Sequence, residues 1–147
     1  MIFRLFYLIF KSVRFLKKSD FLILRFLGFF VYPVYRLYCL IIGVDIPVSV
    51  SVGRNFYIAH MVGTVINAKT IIGNDVFMRH CTTIGNNGKN DLCPIIGNNV
   101  NIGSNCCIIG GITIGNNVII GAGSIVITDI PSNSIVVGNP GRVVKKI

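Results

Sequence analysis

The chain contains only two histidines, His60 and His80, and these side chains are the best suited to acid–base chemistry near neutral pH. An imidazole titrates at about pH 6.5, so it can remove the proton of an alcohol while that alcohol attacks an electrophile. A catalytic zinc site usually has three protein ligands and an open position. With two histidines and no matching cysteine pattern, the sequence predicts no metal.

A six-residue period runs through the chain from Ile46 onward. The hexads IGNNVN, IGSNCC, IIGGIT, IGNNVI and IGAGSI cover residues 96–125 without interruption. The first position is aliphatic, and the Gly and Asn that follow it tolerate the backbone conformations of tight corners. Such a period is typical of stacked β-helix coils, each hexad forming one short strand and a corner. With three strands per coil, we expect roughly five coils.

Two irregularities interrupt the period. We interpret Thr64-Val65 as a two-residue insertion, whereas residues 84–95 keep the count but lose the pattern and are expected to leave the wall as a loop. Both histidines occupy the third position of their hexads, which should face outward at a corner. Allowing for the insertion, they fall on adjacent coils, so we expect the two imidazoles to stack at the surface.

Residues 1–43 differ in composition from residues 44–147. They hold seven cations and one acid, and eight of the ten phenylalanines. We therefore divide the chain into an N-terminal helical segment and a β-helix domain. A first helix is expected to run to about Lys18, and a second from Ser19-Asp20 towards Pro33, which should kink or restart it.

The N-terminal segment is predicted to lie on a membrane surface. Its longest uncharged stretch, residues 26–35, has ten residues, whereas a spanning helix needs about 20 apolar ones. Aromatic and aliphatic side chains mixed with Lys and Arg suit the interface of an anionic membrane. The alternatives are that these aromatics pack against the β-helix or a partner subunit, or that the segment forms a re-entrant or spanning hairpin.

The cysteine pattern indicates the cellular compartment, and the charge distribution indicates the kinds of partner. Five cysteines without a CxxC pair indicate neither a disulfide framework nor a zinc site, and no cleavable signal is apparent. We expect a cytoplasmic protein, peripheral on the inner face of the cell membrane. A nucleic-acid partner is not expected, because the basic segment is too hydrophobic.

The repeat, together with the segments GVDIP (43–47), IAHMVGTVIN (58–67) and VVGNPGRVV (136–144), resembles the hexapeptide-repeat acyltransferases. Within them the chain is most similar to the serine acetyltransferase branch, especially its short members associated with surface polysaccharide synthesis. The resemblance implies an all-β, left-handed parallel β-helix that assembles as a homotrimer. It also implies that acetyl-CoA binds in a cleft between subunits.

By the same resemblance, His60 is the general base and Asp45, fifteen residues earlier, is its orienting carboxylate. On the acceptor side we place His80, because it stacks beside His60, and Asp91 and Cys93, because they lie in the loop. Cys93 is also a less favoured candidate nucleophile. The positions that match the coenzyme side of the family are Ser104, Ala122, Arg142, Lys145 and Lys146.

The chain departs from the serine-specific members of the family at three positions. Ala59 stands where they carry Asp, and Leu92 and Cys93 stand where they carry an Arg-His pair. The groups that would hold an amino acid's ammonium and carboxylate are missing, and each such contact is worth about 1.5–3 kcal/mol. The predicted acceptor is therefore a sugar hydroxyl, free or on a lipid-linked glycan. The alternatives are a serine O-acetyltransferase and a non-catalytic β-solenoid scaffold.

Overall fold

The computed structural model describes residues 2–147, with side chains from Leu5 onward. It begins with a helical hairpin, α1 (Ile2–Lys18) and α2 (Leu22–Ile41). α1 ends at the Lys17-Lys18 pair, as expected, where cations oppose the negative end of the helix dipole.

The helix does not restart at Pro33, because α2 continues through that residue. Proline removes one backbone hydrogen bond from a helix. Buried residues on both sides of it, Gly28 before and Tyr35 and Cys39 after, lie where α2 packs against the rest of the protein. By length and mean hydropathy, 1.3 over its most apolar stretch, α2 is the one helix of residues 2–147 that could span a membrane.

The remaining described residues form fifteen short strands in three sheets. Sheet A joins β1, β4, β7, β10 and β13, sheet B joins β2, β5, β8 and β11, and sheet C joins β3, β6, β9, β12, β14 and β15. The strands are β1 (Val44–Asp45), β2 (Ser51–Val52), β3 (Tyr57–Ala59), β4 (Thr64–Ile66), β5 (Ile71–Ile72), β6 (Phe77–Arg79), β7 (Thr83–Gly85), β8 (Ile95–Ile96), β9 (Asn101–Ile102), β10 (Cys107–Ile109), β11 (Thr113–Ile114), β12 (Val118–Ile120), β13 (Ile125–Val126), β14 (Ser134–Val137) and β15 (Arg142–Lys146).

The predicted parallel β-helix is confirmed. The chain visits the three sheets in turn, and all neighbouring strands pair in parallel except the final β14–β15 pair. Sheet A contains five strands, one from each coil, which matches the expected number of coils. Regular coils have eighteen residues, as shown by the pairing of Val65 with Thr83 and of Cys107 with Ile125.

The two additional residues of the first coil lie in a corner, and their placement at Thr64-Val65 is wrong. Ala59 pairs with Arg79, twenty residues later, whereas Val65 pairs with Thr83, eighteen residues later. The insertion therefore falls between those two pairs, in the corner that begins at His60. A corner can take additional residues without loss of strand pairing, because its residues form no ladder hydrogen bonds.

The loop predicted within residues 84–95 is confirmed, and residues 86–94 form it between β7 and β8. Strand pairs on either side of it, such as Ile71 with Ile95 and Phe77 with Asn101, are separated by twenty-four residues. The loop thus adds six residues to a regular coil of eighteen.

The hexad positions explain how the coils stack. The first-position isoleucines form a buried column in which each side chain is at most 1% exposed: Ile84, Ile96, Ile102, Ile108, Ile114 and Ile120. The following glycines are required for space: a Cβ at Gly73 would lie 2.5 Å from the carbonyl oxygen of Gly97 in the next coil. The left-handed backbone conformation, with φ between 53° and 59°, falls instead on Asn55, Asp75, Asn99, Asn117 and Asn133.

The helical hairpin covers the first coil. Phe6, Phe10 and Val13 of α1 and Tyr35 and Cys39 of α2 belong to one buried cluster with the interior of the coils. The hydroxyl of Tyr35 donates a hydrogen bond to the carbonyl oxygen of Ile46 at 2.5 Å, and burial raises the pKa of that hydroxyl. One face of the hairpin is therefore part of the β-helix core.

Candidate active site

The corners that connect sheet C to sheet A form one edge of the β-helix, and we call it the C–A edge. Its corners comprise residues 60–63, 80–82, 103–106 and 121–124. Backbone N–H groups join successive corners, for example Asn105 to the carbonyl of His80 and Gly123 to that of Ser104, at 3.0 and 2.8 Å. The structure therefore brings four predicted site residues onto one edge: His60, His80, Ser104 and Ala122.

His60 lies in the enlarged corner of the first coil and is exposed. Its backbone is left-handed, with φ of 54°, a conformation that is unusual for a residue other than Gly, Asn or Asp. The imidazoles of His60 and His80 are in edge-to-face contact, with 6.2 Å between ring centroids and 85° between planes. The two rings therefore lie on adjacent coils, as expected, but they meet edge to face and are not stacked.

His80 is half-buried, and its Nδ1 atom is buried without a hydrogen-bond partner among the described residues. A buried polar atom left unpaired costs about 1–3 kcal/mol, so such atoms are usually satisfied by water or a ligand. The ring of His80 is in contact with the exposed ring of His60. The two histidines therefore place an exposed imidazole and an unpaired buried nitrogen at neighbouring corners of the edge.

Asp45 lies close to the enlarged corner, but its carboxylate is paired with another residue. The N–H of Gly63 donates to the carbonyl of Gly43 at 2.7 Å, which holds the start of β1 beside that corner. Asp45 Oδ1 accepts a 2.7 Å hydrogen bond from Arg36 of α2, and no hydrogen bond joins it to His60 among residues 2–147. The bond to Asp45 raises the pKa of Arg36. No sequence spacing pointed to Arg36.

The loop residues lie on a different edge. Residues 86–94 connect sheet A to sheet B, so Asp91 and Cys93 are not on the C–A edge of the same subunit. Lys69 donates a 2.6 Å hydrogen bond to Asp91, which lowers the pKa of that carboxyl. Burial raises the pKa of the Cys93 thiol. A thiol held neutral is a weak nucleophile, which disfavours the nucleophilic role of Cys93.

The three cations predicted for the coenzyme side are separated. The N–H of Gly141 donates to the carbonyl of Ile125 at 2.7 Å, so Arg142, the first residue of β15, lies beside the last corner of the C–A edge. Lys145 and Lys146 pair with Ile135 and Ser134 at the start of β14, on the side of sheet C that adjoins sheet B. Among the residues that the structure describes, no three His, Cys, Asp or Glu side chains form a metal-binding group.

Known proteins share this architecture and much of this sequence. Residues 93–128 match the family model "Bacterial transferase hexapeptide (six repeats)". The Escherichia coli K12 protein named "Putative colanic acid biosynthesis acetyltransferase WcaB" is 44% identical over 116 residues, 76% of this chain and 72% of its own. Arabidopsis thaliana chloroplastic serine acetyltransferase 1 is 44% identical over 104 residues, 69% of this chain and 33% of its own.

Solved structures show the same relationship. The soybean serine acetyltransferase apoenzyme matches 95% of this chain and 56% of its own with a TM-score of 0.81 and 32% identity. Brucella abortus serine acetyltransferase, solved in complex with coenzyme A, matches 95% of this chain and 54% of its own with a TM-score of 0.81 and 25% identity. This chain belongs to the hexapeptide-repeat acetyltransferases. It spans about half the length of these solved serine acetyltransferases.

The left-handed backbone at His60 generates a stability prediction. Asn adopts this conformation readily, whereas a β-branched residue there is strained by about 1–2 kcal/mol. We expect His60→Asn to retain the wild-type unfolding midpoint and His60→Val to lower it. Thermal unfolding at one fixed protein concentration measures both. Equal midpoints for the two variants would contradict a left-handed corner at this position.

Proposed function

We propose that the protein is an acetyl-CoA-dependent O-acetyltransferase that acts on a sugar hydroxyl, with His60 as general base. The observation that carries this proposal is the exposed His60 in the enlarged corner of the C–A edge, followed along that edge by Ser104 and Ala122. The two additional residues of the first coil fall in the corner that begins at His60.

The proposed chemistry requires one base and no covalent enzyme intermediate. His60 accepts the proton of the acceptor hydroxyl as the oxygen attacks the thioester carbonyl. The carbon–oxygen bond forms, the carbon–sulfur bond breaks, and the imidazolium returns its proton to the departing thiolate. Backbone N–H groups at the corners are the expected donors to the transient oxyanion, since neither Ser104 nor Ala122 carries a cationic side chain.

His80 is proposed to assist on the acceptor side. Its buried Nδ1 has no hydrogen-bond partner among the described residues, and an ordered water can satisfy it. The ring contact with His60 also limits the orientations of the catalytic imidazole. His80 is thus a positioning residue in this proposal.

The complete site is proposed to form between subunits of a homotrimer. The acceptor-side residues Asp91 and Cys93 lie on the edge between sheets A and B, away from His60 in the same chain. Packing of one subunit's loop against another subunit's C–A edge would bring the two sets together. The walls carry apolar side chains suited to such packing, including Ile71, Ile95 and Ile119, each 40–46% exposed.

Coenzyme binding is proposed along the C–A edge towards the last coil. The small residues Ser104 and Ala122 leave the surface open for an extended ligand, and Arg142 stands at the end of the edge. Arginine pairs well with phosphate oxygens. Lys145 and Lys146 lie on the side of sheet C that adjoins sheet B, away from the C–A edge. They are proposed to contribute charge rather than direct contacts.

The acceptor is proposed to be a glycan rather than free serine. The relative from Escherichia coli is named for colanic acid biosynthesis. At the family's amino-acid-binding positions this chain carries Ala59 and Leu92, and Leu92 is 61% exposed. Neither can pair with an ammonium or a carboxylate. Serine O-acetyltransferase activity is the second candidate, favoured by the relatives that carry that name.

Removal of the imidazole tests the proposal directly. We expect His60→Asn to lower kcat/KM for thiol release from acetyl-CoA by about 10²–10⁴-fold, the usual contribution of a general base. The same variant is expected to keep the fold, so loss of activity would reflect chemistry. Retained activity would assign the base elsewhere, and absence of coenzyme binding in the wild type would favour the scaffold.

Asp45 and Arg36 provide a matched pair of variants. Their ion pair is 43% and 52% exposed, so its removal should change stability by no more than about 1 kcal/mol. If Asp45 orients His60, Asp45→Asn lowers kcat about tenfold or more, whereas Arg36→Gln retains the carboxylate and the rate. Steady-state kinetics of both variants measure this. Equal rates for the two would remove Asp45 from the mechanism.

The acceptor preference is testable with the wild-type protein. Two missing charged contacts, each worth about 1.5–3 kcal/mol, predict that free L-serine is turned over at least about a hundredfold less efficiently than the preferred sugar. Thiol release with L-serine, free hexoses and UDP-hexoses gives the comparison. Comparable kcat/KM values for L-serine and the best sugar would favour the serine acetyltransferase alternative.

A further inference from the structure

One half of the α2 surface is apolar and uncovered, and we call it the α2 face. At the helical period of about 3.6 residues per turn, its members lie on one side of the helix. Each of them is 49–83% exposed: Ile23, Phe26, Leu27, Phe30, Val34, Leu37 and Ile41. Contiguous apolar surface of this extent marks a contact with another molecule or a membrane.

The opposite side of α2 is held by the protein itself. Tyr35 is 1% exposed and donates its hydrogen bond to Ile46 of the first coil. A Cβ at Gly28 would lie 3.2 Å from the backbone of Leu16, so α1 and α2 are in close contact there. Rotation of α2 to bury its exposed face would break these contacts. The α2 face must therefore be covered from outside the chain.

A basic crevice lies at the tip of the hairpin, where α1 ends and α2 begins. Its volume is about 680 Å³, and its lining includes three cations, Lys11, Arg14 and Lys18, together with the aromatic rings of Phe15 and Phe21. Arg14 also donates a hydrogen bond to the carbonyl of Val50, which fixes it against the first coil. Asp20 is the acidic residue of the lining, so the net charge of the crevice is positive.

We propose that the α2 face docks on an anionic lipid bilayer and that the basic crevice receives the phosphate of an anionic lipid headgroup. Apolar side chains enter the acyl region while neighbouring cations remain at headgroup level, which is the arrangement of interfacial helices. The crevice combines phosphate-binding cations with aromatic rings that can contact the glycerol and upper acyl chain.

Charge favours a bilayer over a second copy of the chain as the occupant. Residues 1–43 carry seven cations and one acid, so two such segments repel each other, whereas an anionic surface attracts them. The buried side of α2 favours lying on the bilayer over spanning it. A spanning α2 would carry Tyr35 and Cys39 out of the core, and would take Arg36 away from Asp45.

The orientation of the docked protein has a consequence for the acceptor of the proposed acetyl transfer, and this consequence rests on that proposed function. The hairpin covers the first coil, and the His60 corner belongs to that same coil. Arg142 lies at the opposite end of the C–A edge. A membrane-docked protein thus holds its base near the bilayer and its coenzyme-phosphate end away from it. An acceptor glycan anchored by a lipid phosphate fits that polarity.

Vesicle flotation of the full chain tests the docking without any enzyme assay. We expect the protein to float with phosphatidylcholine–phosphatidylglycerol vesicles and much less with pure phosphatidylcholine. Each cation near an anionic surface raises partition about fivefold, so Lys11→Glu with Lys18→Glu should lower it by about tenfold or more. Phe26→Glu with Phe30→Glu should abolish flotation on both vesicle types.

The matched control is Lys145→Glu with Lys146→Glu, which makes the same charge change at exposed positions of β15, at the end of the protein opposite the hairpin, and should float like the wild type. The proposal is wrong if the wild type does not float, if the Lys11/Lys18 variant floats like this control, or if the Phe26/Phe30 variant still floats. A changed oligomeric state in that last variant would assign the face to a second copy. Thermal unfolding midpoints show whether each variant is folded. Thiol release from acetyl-CoA tests the enzymatic proposal separately.

Discussion

Every coil of this protein must turn its corners without losing the parallel backbone hydrogen bonds to the next coil. Two residue types meet that requirement. Glycines such as Gly73 admit the neighbouring backbone at distances where a Cβ would collide, and Asn or Asp, as at Asn99, take the left-handed conformation. Strands therefore cannot change length freely, and variation is confined to corners. Both irregularities of the chain, the His60 corner and the loop of residues 86–94, obey this constraint.

The helical hairpin covers the open end of the β-helix. The first coil has no preceding coil to cover its interior, and Phe6, Phe10 and Tyr35 supply the missing apolar contacts. Covering the end in this way gives the molecule polarity. One end carries the helices, the ion pair of Arg36 with Asp45 and the His60 corner, while the other end carries β15 and its cations.

The charged groups near the proposed site already have partners within the chain. Asp45 is paired with Arg36, and Asp91 is paired with Lys69. Surface ion pairs are weak enough to exchange partners when another charged group arrives. At the corners of the C–A edge, His80 has a buried Nδ1 without a hydrogen-bond partner among the described residues. The chain thus carries the proposed base on one edge and the proposed acceptor loop on another, which is consistent with the proposal that a second subunit completes the site.

The sequence alone determined the β-helix, the loop and the placement of the two histidines at corners of adjacent coils, because a six-residue period is a local property that fixes which side chains face inward. It also determined that the first forty-three residues form a different, basic and aromatic unit. Only the tertiary structure decided that the insertion enlarges the His60 corner, that α2 continues through Pro33, and that Arg36 engages Asp45. These features depend on contacts between segments far apart in the chain, between one coil and the next or between a helix and the first coil, and a repeat counted along the sequence carries no record of them.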